Sequence, residues 1–121
     1  MNKIIQQFEI WQTNLNPTQG SEQHGIRPCL IIQTNASGKK ALTTIIIPLS
    51  SKRLENIYPF EVKIKPSKIN GLQKLSKLKC EQIRVIDKSR LIKKIGFIDK
   101  SHHDNIFKAL KVIFDINRDF N

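Results

Sequence analysis

No apolar run in these 121 residues approaches the ~20 consecutive positions that a membrane-crossing helix requires. The opening residues, Met1-Asn2-Lys3-Ile4-Ile5-Gln6-Gln7, turn polar too soon to supply a signal-peptide core, so a cytoplasmic protein is expected. Cysteine is nearly absent. Cys29 and Cys80 are the only two, in neither a CxxC nor a Cys/His spacing, which argues against a disulfide scaffold or a zinc site. Both are expected as reduced, buried thiols. Internal repeats and low-complexity linkers are missing too, so one domain is expected over residues 1–121. The apolar fraction, 39%, is that of an ordinary globular protein and argues against disorder.

Acidic residues are also few, with 10 Asp and Glu against 21 Lys and Arg, for a net charge of +11. The excess is uneven: residues 1–62 carry six basic and four acidic side chains, and residues 63–121 carry fifteen and six. Such a field attracts a polyanion, either nucleic acid or an acidic protein segment, or it is simply a solvated lysine-rich surface.

What is present reads mainly as strand. Phe8 to Leu15 mixes apolar and polar residues over a strand length and is broken by Asn16-Pro17-Thr18 and Gly20. Cys29 to Thr34 is a short apolar strand, and Asn35 to Lys40 a turn. Ala41 to Leu49 is the longest β-branched run, with Pro48 marking its exit or an unpaired edge. Phe60, Val62 and Ile64 alternate with Glu61, Lys63 and Lys65, which places the charged residues on the solvent face. A lysine-rich loop containing Gly71 follows, then strands over Cys80 to Ile86 and Lys94 to Ile98. Near the end the period changes. Ser101 and Asp104 have capping-box spacing, and Ile106, Ala109, Leu110 and Ile113 recur at helical intervals beside Phe107 and Phe114. Short strands closed by one helix predict a small curled sheet or barrel with the helix packed on it.

The stretch GSEQHGIRPCLIIQT, residues 20–34, crowds Glu22, His24 and Arg27 between two glycines and an apolar strand. Local sequence leaves two readings open: a surface arginine paired with Glu22, or a rigid clamp for an anion. Gly20 and Gly25 allow the loop to fold back, and Pro28 fixes the backbone just after Arg27. Ser50, followed by Ser51 and Lys52-Arg53, reads locally as a turn cap. Trp11 reads as core or dimer interface rather than as a base-stacking platform.

Taken in order and spacing, LNPTQGSEQHGIRPCLIIQ, IIIPLSS and CEQIRVIDKSRLIKKIGFID resemble the MazF/PemK family of bacterial toxin endoribonucleases. The resemblance runs from about Glu9 to the last helix. It implies an SH3-like β-barrel of the PemK/CcdB type, a homodimer, metal-free cleavage of single-stranded RNA with no cofactor, and a cognate acidic antitoxin. The family's loop arginine matches Arg27, its strand-end hydroxyl matches Ser50, its loop glutamate Glu22, and the glutamine of its EQIR segment Gln82. These matches assign catalysis to Arg27, Ser50 and Glu22 and substrate contact to Gln82; the basic surface adds Arg84 and the loop adds His24, Gly20 and Ser21 as expected substrate contacts. Three positions depart from the pattern: Phe8 replaces a glycine, Asn14 an acidic residue, and His24 a small one. A gyrase-binding toxin of the CcdB kind and a non-catalytic basic nucleic-acid-binding barrel are the competing functions.

The implied chemistry suits these residue types. RNA carries its own nucleophile, so the protein must align the 2′-hydroxyl, neutralise charge on the phosphate oxygens and move protons. An arginine fork can donate two hydrogen bonds to one phosphate, and its very high pKa disqualifies it as a base. Glu22 either orients Arg27 or accepts the 2′-proton, the orienting role being preferred. Arg84, Arg90, Lys88, Lys93 and Lys94 suit an RNA backbone or an acidic antitoxin equally.

Overall fold

The β-branched run of the sequence becomes the strand around which the sheet is built. The computed structural model describes residues 3–116. In it the strands are β1 (Glu9–Asn14), β2 (Ile26–Ile31), β3 (Thr43–Ser50), β4 (Glu61–Ile64), β5 (Ser76–Lys79), β6 (Arg84–Asp87) and β7 (Leu91–Phe97). A one-turn helix α1 (Asn35–Gly38) precedes β3, and α2 (His103–Phe114) follows β7. The strands form one antiparallel sheet in the order β4-β5-β3-β2-β1-β7, with β6 pairing β3 off that path.

β3 changes partners along its length. Thr43 to Ile46 pair with β6, whereas Leu49 and Ser50 pair with β5. Pro48 falls at the step between them, in register with neither, so its missing N–H breaks no ladder there. It is not an exit: the strand runs on to Ser50.

The sheet buries side chains on both faces, which explains the nearly continuous apolar run. Ile10, Leu30, Ile47 and Leu49 join one core with Ile106, Ala109 and Leu110 of α2. Trp11, Cys29, Ile31, Ile46, Ile86 and Leu91 form the other, so Trp11 is core. Its indole N–H donates to Glu9 Oε1 at 3.0 Å. Burial alone would raise the Glu9 pKa, but hydrogen bonds from Trp11, Lys94 and the Gln6 N–H outweigh it and hold the carboxyl below its usual value.

Several expectations need correction. The barrel is not closed: the terminal strands β4 and β7 do not pair with each other. The loop after β4 lies against β7 instead, and Phe97 N–H donates to Ile69 O at 3.1 Å. That approach is backbone on backbone. A Cβ on Gly96 would lie 2.4 Å from Ile69 O, and one on Gly71 would lie 2.0 Å from Ile95 O. The lysine-rich segment also contains a strand, β5, that the sequence reading took for loop. The first part of the expected Cys80–Ile86 strand is a 3-10 turn (Cys80–Gln82). The turn at Asn35 winds once into α1, its Thr34 side chain accepting from Ser37 N–H. The capping box does not form, because Ser101 Oγ is engaged with Asp99 Oδ1 at 2.5 Å and α2 begins after His102 without a side-chain cap.

Glu61 is not on a solvent face. It is 6% exposed and ion-paired at 3.2 Å with Lys77, itself 3% exposed, on the neighbouring strand β5. Phe8 adopts φ 72°, where side chains are uncommon. Its ring stacks on His103 with centroids 3.5 Å apart and meets Phe107 edge-on, contacts that a glycine at this position would not have.

Cys29 and Cys80 are both free and buried. Burial pushes each thiol up to about 12. At mildly alkaline pH the folded protein is therefore expected to resist a thiol-specific disulfide reagent, and to titrate both cysteines once guanidinium unfolds it. Rapid labelling of the native state would contradict the buried placement. No helix among the described residues is long and apolar enough to cross a membrane.

Candidate active site

Arg27 and Ser50 are far apart in sequence and become neighbours through strand register. β2 and β3 are antiparallel, with Cys29 opposite Pro48. Two residues further along the same register lie Arg27 and Ser50, and directly opposed residues project from the same face. The Arg27 guanidinium reaches back to the Leu49 carbonyl at 3.5 Å and donates through Nε to the His24 carbonyl at 2.9 Å. Among the described residues Nη2 has no hydrogen bond. The expected Glu22–Arg27 pairing is not formed, because main-chain carbonyls do the orienting.

Ser50 is 6% exposed, and its Oγ accepts the Lys52 N–H at 3.2 Å. This is the turn cap read from local sequence, and it leaves the hydroxyl hydrogen free to donate elsewhere. Cap and anion donor are thus compatible in one side chain.

The loop between β1 and β2 folds over the pair. Gly20 and Gly25 both take positive φ, 54° and 79°, which a side chain would strain. Glu22 Oε1 accepts the Gln19 N–H at 2.6 Å and closes the loop on itself. Gln82, in the 3-10 turn, accepts the Gln23 N–H at 3.3 Å and ties the loop to the body.

A cavity of about 430 Å³ lies between these segments. Arg27, Ser50, Glu22, Gln82 and His24 all line it, as do Gly20 and Ser21. Arg84 does not. Its guanidinium donates to the Leu15 carbonyl at 3.4 Å, away from the cavity lining. Lys52, Arg53 and Lys79 also line the cavity, although sequence reasoning did not place them there. The basic pair Lys52-Arg53, one residue beyond Ser50, was the available signal. Four cationic side chains thus face one carboxylate, Glu22, which favours an anion. A second cavity of about 430 Å³ shares Arg27, Ser50 and Lys52 with the first and adds Lys74 and Lys93. A guanidinium and a hydroxyl on the wall common to two basic hollows are well suited to gripping one phosphodiester of a longer strand.

Known proteins resemble this chain in both sequence and fold. Over 114 residues the chain is 33% identical to the endoribonuclease MazF of Staphylococcus epidermidis, covering 94% of each. Over 109 residues it is 33% identical to the endoribonuclease EndoA of Bacillus subtilis, covering 90% of this chain and 93% of that one. The fold superposes on MazF from Deinococcus radiodurans with a TM-score of 0.79 at 21% identity, over 95% of this chain and all of the other. It also matches a mycobacterial endoribonuclease solved with its cognate antitoxin, TM-score 0.77 at 18% identity, covering 93% and 97%. Residues 6–114 match the profile of the PemK-like, MazF-like toxins of type II toxin-antitoxin systems, and to that family this chain belongs.

Proposed function

We infer that the protein is a metal-independent endoribonuclease toxin, a single domain acting as a cytoplasmic homodimer on single-stranded RNA and held in check by an acidic antitoxin. The observation that carries this reading is the meeting of Arg27 and Ser50, from different strands, on one basic cavity wall. Attack of the 2′-oxygen on phosphorus breaks the bond to the 5′-oxygen. The products are a 2′,3′-cyclic phosphate and a 5′-hydroxyl.

Arg27 stabilises the charge that develops on the non-bridging oxygens and protonates the departing 5′-oxygen, while the Ser50 hydroxyl donates to a phosphate oxygen. Because main-chain carbonyls orient Arg27, Glu22 is the carboxylate available to take the 2′-proton. The Gln82 amide, with Gly20, Ser21 and His24, contacts the nucleotides flanking the break. Arg84 contributes field rather than contact, as its guanidinium serves Leu15.

The test is an incubation of the purified protein with single-stranded RNA in EDTA. Discrete fragments with cyclic phosphate and 5′-hydroxyl ends are expected. Intact RNA that is nevertheless bound would favour a non-catalytic basic module, and inhibition of gyrase would favour a protein-binding toxin. His24 is assigned contact only, through an exposed ring at the cavity rim. The His24→Gly protein should therefore keep its cleavage rate at saturating RNA and its pH profile. Loss of a limb near neutral pH would make His24 a proton carrier instead.

A further inference from the structure

Arg53 and Lys79 of the first cavity also line a smaller one of about 350 Å³. Its wall carries a parallel aromatic pair: the rings of Tyr58 and Phe60 are 5.4 Å apart between centroids and inclined by 4°. Phe60 is half-buried, and Tyr58 is 52% exposed. Eight aromatic residues serve the whole chain, so a Tyr58 ring left open to solvent beside two cations calls for a function.

The loop that presents the pair is fixed from beneath. Glu61 N–H donates to the Tyr58 carbonyl at 2.9 Å, and Tyr58 N–H donates to Glu61 Oε1 at 3.0 Å. Buried Lys77 donates to Glu61 and to the carbonyls of Arg53 and Asn56 at 2.9–3.2 Å. The main chain that bears the Tyr58 ring and the Arg53 side chain is therefore held on one scaffold.

We propose that the Tyr58–Phe60 stack is a nucleobase platform, which receives one unpaired base of single-stranded RNA while Arg53 and Lys79 hold the adjoining phosphate. The proposal rests on the endoribonuclease reading for its ligand and adds a subsite beside the cleavage cavity. A π-face accepts any base, so the platform supplies affinity and register. Glu55, in the same cavity, accepts a hydrogen bond from a base that presents a donor, while Glu81 lies 3.6 Å from Lys79 and holds that cation at the cavity wall.

The test uses short mixed-sequence RNA made uncleavable by full 2′-O-methylation, with binding read by fluorescence anisotropy at low salt. Scanning an abasic nucleotide through the strand should find one position whose loss weakens wild-type binding about 10-fold. Tyr58→Ala should bind the intact strand about 10-fold more weakly and no longer sense that position, whereas Tyr58→Phe should behave as wild type. Wild-type affinity and an unchanged abasic profile in Tyr58→Ala would overturn the platform. Wild-type protein that binds these strands but leaves unmodified RNA intact would overturn the nuclease reading and spare the platform; no RNA binding at all would overturn both.

Discussion

The Arg27→Ala protein is expected to fold normally and to cleave single-stranded RNA about 10²–10³-fold more slowly than wild type, if the loss resembles that of one preorganised oxyanion donor. The fold is spared because Arg27 is only half-buried and its two contacts are to main-chain carbonyls, one of them long at 3.5 Å. A typical hydrogen bond of this kind is worth about 1 kcal/mol net. On the proposed role the rate is not spared, because the guanidinium would meet the phosphate where charge grows in the transition state. Arg27→Lys separates charge from shape: it keeps the cation, loses the planar fork, and should fall between the two. Single-turnover rates at saturating RNA, beside thermal melts of the same preparations, check the prediction. A rate within a few-fold of wild type would remove Arg27 from the chemistry.

The second large effect concerns stability. Lys77→Met leaves the Glu61 carboxylate buried without its partner and strips a donor from the Arg53 and Asn56 carbonyls. Breaking a buried ion pair from one side costs about 3–5 kcal/mol, against about 5–15 kcal/mol for a whole domain. Urea unfolding should therefore move to much lower denaturant. Adding Glu61→Gln removes the orphaned charge, and the double variant should recover part of the loss. If Lys77→Met unfolds at the wild-type midpoint, the pair contributes nothing. Because Lys77 holds the loop that carries Arg53 and Tyr58, the double variant should stay folded yet grip RNA less well.

How much of this was legible in the sequence depended on which residues interact with near neighbours. The loop cluster was readable because its glycines, Arg27 and Pro28 act over a few positions. The meeting of Arg27 with Ser50 was visible only through the family resemblance, since it arises from a register that no local pattern encodes. Glu61 was misread for the same reason. Strict alternation sends it to solvent, but the cation that makes its burial tolerable sits on another strand. β5 was missed because a segment reading SKLK has the composition of a loop, and its lysines are buried or half-buried only through partners elsewhere. The capping box failed over a shorter range: Asp99 competes for the Ser101 hydroxyl and wins.

The contact of Gly71 and Gly96 with facing main chain divides the freedom of the two basic walls to diverge. Along the segment that crosses β7, even a single added methyl collides with peptide atoms, so a change at these glycines is judged by whether the protein survives before its taste for RNA matters. The loop over residues 51–60 bears no such veto at its exposed tips. New nucleotide preferences should therefore arise there first, while the opposite wall stays as it is.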